Sequence, residues 1–70
     1  MVPPARYYFH LRNGQQYPDE VGKVFSSPEA AIAHAALVAS ELAQDEDWGG
    51  FVIAVTDLQG NVIARVPVEA

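Results

Sequence analysis

Residues 18–30, PDEVGKVFSSPEA, place two chain reversals and a helix start side by side. Pro18 has no N–H to give to a strand ladder, so a strand that reaches it lies at an edge or stops there. Pro18-Asp19 opens a turn, and Gly22 tolerates the left-handed backbone that a reversal needs. Val24 and Phe25 then bring apolar side chains back toward a core. Ser27 has the hydroxyl of an N-cap, Pro28 suits the first helical position, and Glu29 complements the positive end of the helix dipole. The stretch therefore carries the chain from a sheet edge to a helix that lies across one sheet face.

On the N-terminal side, RYYFHLR (6–12) is rich in the aromatic and large apolar residues of strands. Tyr7, Phe9 and Leu11 alternate with Tyr8, His10 and Arg12. Asn13-Gly14 signals a tight hairpin, with a short second strand over 15–17. On the C-terminal side, the spacing predicts a helix from Pro28 to about Gln44. Ala31, Ala35, Val38, Ala39 and Leu42 form its apolar stripe, with Ile32 at the flank and Leu37 pointing away. DEDWGG (45–50) ends it. FVIAVT (51–56) and residues 62–66 are strands joined by DLQGN (57–61), with Gly60 in a left-handed position. The expected fold is α+β, ββαββ: a four-stranded antiparallel sheet from two hairpins, with one helix packed on one face. Residues 1–70 form a single domain, and 1–5 are expected to be a disordered tail.

Both faces of the second hairpin are apolar, because Phe51, Ile53 and Val55 alternate with Val52, Ala54 and Thr56. One helix covers only one sheet face, so the other is expected to be exposed or covered by a partner. Seventy residues support only a small core, and small domains commonly need a staple. A sequence without cysteine offers no disulfide and no thiolate ligand, which leaves self-association and fits a reducing cytoplasm. The formal charge of −5 opposes a general phosphate-binding surface. No stretch reads as an export signal or a membrane span.

The segments YYFHLRNG (7–14), PDEVG (18–22), SSPEAAIAHA (26–35) and FVIAVTDLQGNVIARVPV (51–68) resemble a family of small bacterial proteins of unknown function. The resemblance runs through Tyr8–Gly14, Pro18–Gly22, Glu29–Ala31 and Val55–Gly60, which is nearly the whole chain. A Trp often opens the third strand in that family. Here Phe51 stands there and Trp48 comes three residues earlier. The resemblance implies no activity.

His10 and His34 lack the i, i+4 partner of a helical zinc pair. Asp45, Glu46 and Asp47 lack the alternation and the central glycine of a calcium loop. Ser26 and Ser27 lie outside a Gly-x-Ser-x-Gly turn. No catalytic residue, metal or cofactor is expected. The leading expectation is a noncatalytic cytoplasmic module that forms a homodimer or binds another protein through the open sheet face, with Tyr8, His10, Arg12, Val52 and Ile63 as interface candidates. The alternative is a single-stranded nucleic-acid binder that uses the Tyr8, His10 and Arg12 face.

Overall fold

The computed structural model describes residues 3–69. Five strands and one long helix follow in the order β1 (Ala5–Arg12), β2 (Gln16–Tyr17), β3 (Lys23–Phe25), α1 (Pro28–Leu42), β4 (Val52–Thr56) and β5 (Val62–Pro67). A single 3-10 turn, Glu46–Trp48, lies between α1 and β4. Part of the expected N-terminal tail falls outside the described residues. Ala5, its last member, starts β1 opposite Phe25.

The sheet is antiparallel in the order β2-β1-β4-β5, and β3 also pairs with β1. The fold is thus the expected α+β arrangement, with β1 and β4 side by side at its centre. The first hairpin is longer than its sequence suggests. Arg12 faces Gln16 and Leu11 faces Tyr17, a register that would set residue 21 opposite Tyr7. Lys23 stands there instead, so Pro18–Gly22 takes two extra residues out of the ladder before pairing resumes.

α1 starts where the sequence places it. The Ala30 N–H donates to Ser27 Oγ at 3.1 Å, and Pro28 sits in the first turn. It ends at Leu42 rather than Gln44, because the Gln44 and Asp45 amides turn to tighter bonds with Glu41 O and Leu42 O. Asp45 then caps the following 3-10 turn by accepting from the Asp47 N–H. Ala31, Ala35 and Ala39 are buried, and these methyl groups bring the helix backbone close to the sheet. Val38 and Leu42 flank them half-buried, and Leu37 is exposed as expected.

Below the alanines lie Tyr7, Ile53, Val55 and Val68. Phe9 and Phe25 extend this core, and both rings contact the His34 ring at 5.2 Å. Val24 departs from expectation and is exposed. It pairs with Arg6, on the face of β1 turned away from the helix. At one end of the sheet Phe51 packs between Trp48 and Tyr17, at 5.1 and 5.9 Å between ring centres. The two aromatics that differ from the family pattern therefore pack on each other.

Candidate functional site

The register fixes which residues share the uncovered face. Tyr8 pairs with Thr56, His10 with Ala54 and Arg12 with Val52 across β1 and β4. Arg65 pairs with Ala54 and Pro67 with Val52 across β4 and β5. Tyr8, His10, Arg12 and Val52 are therefore brought together; the sequence alone puts the first three on one face of β1 and leaves open whether Val52 or Ile63 joins them. Ile63 is placed differently. It is the extra residue where pairing shifts between Val55–Ala64 and Thr56–Val62, and it packs against the core cluster.

This face is better covered by its own side chains than its sequence suggests. Ala54 is only 1% exposed and Thr56 only 4%, although no element lies over them. His10 accounts for part of this. The Asp19 backbone N–H donates to His10 Nδ1 at 2.9 Å, and His10 Nε2 lies 3.0 Å from Thr56 Oγ1. A backbone amide can only donate, so Nδ1 is the acceptor nitrogen and the ring proton sits on Nε2. Nε2 therefore donates to the Thr56 hydroxyl. A hydroxyl, an imidazole and an aspartate in a row match a nucleophile relay only in outline. A base must accept the hydroxyl proton, whereas this ring gives one. Here the histidine fastens the Pro18–Gly22 excursion to the sheet.

The Asp19 carboxylate completes that fastening. It accepts from the amides of Phe9 (3.2 Å), Val21 (3.0 Å) and Gly22 (3.1 Å). Burial pushes its pKa up, but the hydrogen bonds from the Gly22, Val21 and Phe9 amides outweigh this and hold it below 3.8. Gly22 is required on two counts. Its φ is +68°, and a Cβ there would meet the Tyr7 carbonyl oxygen at 2.7 Å and the Tyr8 ring at 2.9 Å. The Tyr8 ring is thus held between Gly22 and the parallel His10 ring, 6.2 Å away. This loop was legible in the sequence as a turn. Its bonds to His10 and Phe9 were not, because nothing local to Pro18–Gly22 names those partners.

Charge is divided between the two sides. Of the four basic residues, Arg6, Arg12 and Arg65 share the uncovered face. No acidic residue of β1, β4 or β5 joins them. Arg6 is engaged, donating through Nη1 to Val21 O at 2.8 Å. Arg12 Nε is buried without an acceptor. Among the described residues no group of three or more His, Asp or Glu side chains is placed to hold a metal ion, and no helix is long and apolar enough to cross a membrane.

These features define a small α+β module with one sheet face clad by a helix and the other free of a helix, partly covered by the Pro18–Gly22 loop and carrying three arginines. The chain belongs to the family described as Domain of unknown function (DUF6894), whose model matches residues 6–69. No curated protein and no solved structure matched it.

Proposed function

We propose that this chain is a noncatalytic cytoplasmic binding module that offers its uncovered sheet face to a protein, either a second copy of itself or another chain. The observation that carries this reading is the state of the other surfaces. α1 covers one face. At one edge β2 stops at Pro18 and the excursion interrupts the ladder. At the other, the Val68 N–H donates to Phe51 O, so the strict alternation of an antiparallel ladder turns the backbones of Arg65 and Pro67 outward. Pro67 has no N–H to offer, and the shift at Ile63 disturbs the rest of that edge. What remains is the face of Tyr8, His10, Arg12, Val52 and Arg65. A single-stranded nucleic acid has less to use there. Tyr8 and His10 lie against each other and the Gly22 loop, which leaves neither ring free on both sides for a base.

Sedimentation from micromolar to millimolar concentration tests the reading. Self-association that Val52→Glu weakens while the melting temperature holds supports it. Self-association that Val52→Glu leaves untouched places the contact elsewhere and overturns it. A monomer throughout removes the second copy as the occupant.

A further inference from the structure

We infer that the occupant of this face is an acidic, extended protein segment whose carboxylates bind Arg12 and Arg65. The inference rests on the binding-face reading above and names the partner's chemistry.

Three observations lead to it. First, the chain as a whole is acidic, yet this face holds three of its four cations and no strand carboxylate. A two-fold packing of the face on its own copy would set these cations against their equivalents, so a second copy is a poor match. Second, Arg12 Nε is buried and lacks an acceptor. That nitrogen is closed to an incoming group, so a carboxylate meets the outer Nη edge of the guanidinium, whose paired N–H groups suit it. Third, the spacing is that of an extended chain. Arg12 lies across β4 from Arg65 and two residues along it, since Arg12 faces Val52 and Arg65 faces Ala54. With strands about 4.8 Å apart and a rise of about 3.3 Å per residue, the two Cα atoms are about 12 Å apart. Residues i and i+4 of an extended segment lie on one side of it at about 13 Å. The residue between them, i+2, then comes down on β4 between Val52 and Ala54, where an apolar side chain fits.

The probe is the blocked peptide acetyl-Glu-Thr-Val-Thr-Glu-amide, titrated into isotope-labelled protein while backbone amide resonances are followed. Its Gln-Thr-Val-Thr-Gln counterpart and a five-nucleotide oligothymidylate are run beside it. The expected result is movement of the Arg12, Val52 and Arg65 amides with the acidic peptide. Arg12→Gln and Arg65→Gln should each weaken binding roughly two- to fivefold, the range of a partly exposed ion pair. Arg65 is exposed, so its variant keeps the test valid even if Arg12→Gln disturbs folding. No movement at these amides, or equal binding in both variants, overturns the inference. Tighter binding of the oligothymidylate at the same amides also overturns it, in favour of a nucleic acid. If the Gln peptide binds as well as the Glu peptide, or a Val52→Glu-sensitive dimer is unaffected by Arg65→Gln, the acidic partner is wrong while the binding face stands. Peptide shifts confined to other surfaces, together with a dimer insensitive to Val52→Glu, overturn both.

Discussion

Where the strand ladder breaks after Tyr17, the Phe9 N–H takes the Asp19 carboxylate in place of a strand carbonyl. The same carboxylate serves the amides of Val21 and Gly22. Asp19→Asn leaves a weaker, neutral acceptor for these donors and should cost about 1–2 kcal/mol near neutral pH. The pH dependence has a definite sign. The folded-state pKa lies below 3.8, so the stability from the ionised group is fully present above that value. It is lost as pH falls through the lower folded-state value. Chemical denaturation at pH 7 and at about pH 3 checks this, with the gap between wild type and variant narrowing at the lower pH. A constant gap would mean that the charge contributes nothing. The Asp57 carboxyl is also held low, by the Asn61 amide first, against a smaller upward push from burial. Some acid sensitivity therefore remains in the variant.

At the scale of elements, the signals that could be read in advance are those with partners a few residues away. Ser27 and Ala30 are one such pair, and the turn at Gly60, with φ of +86°, is another. Asp57 strengthens that turn by accepting from the Gln59 and Asn61 amides. Ser27→Ala should lower stability by about 1 kcal/mol. In a domain of this size that is a fall in melting temperature of about 4–8 °C. A midpoint unchanged within error would show that α1 does not depend on this cap. The broken register of the first hairpin was hidden for the opposite reason. Pro18–Gly22 announces a turn, but only contact with β1 decides that pairing resumes beyond it. The exposure of Val24 follows from the same shift, since its place opposite Arg6 turns it away from the helix.

At the scale of the molecule, the core is thin and depends on a few side chains. Ile53 and Val55 are the largest fully buried ones, at the centre of the sheet under the alanines of α1. Ile53→Ala should cost about 2–5 kcal/mol, a large part of the stability of so small a domain. Leu37→Ala, at a residue 57% exposed, should change stability by about 0.5 kcal/mol or less. Denaturant titration of the two variants checks both, and a costlier Leu37 change would mean that α1 packs with another phase. Periodicity gave the helix stripe and the alternation of β1 and β4, but not which face of the 51–68 hairpin lies under the helix, and so not the full membership of the uncovered face. It could not show that Ala54 and Thr56 are buried on that face, or that His10 joins Asp19 to Thr56. Those facts depend on contacts such as the one between His10 and Thr56, 46 positions apart.

The adjacency of β1 and β4 also sets an order on synthesis. A ribosome releases the first hairpin and α1 well before β4, so the emerging chain holds half a sheet and a helix whose alanines have little to lie on. Tyr7 waits for Ile53 and Val55, and the Thr56 hydroxyl that receives the His10 proton comes later still. Until then the apolar side of β1 is open to chaperones and to other nascent chains. Strands made after α1 are thus the ones that turn a loose hairpin and helix into a closed sheet and core.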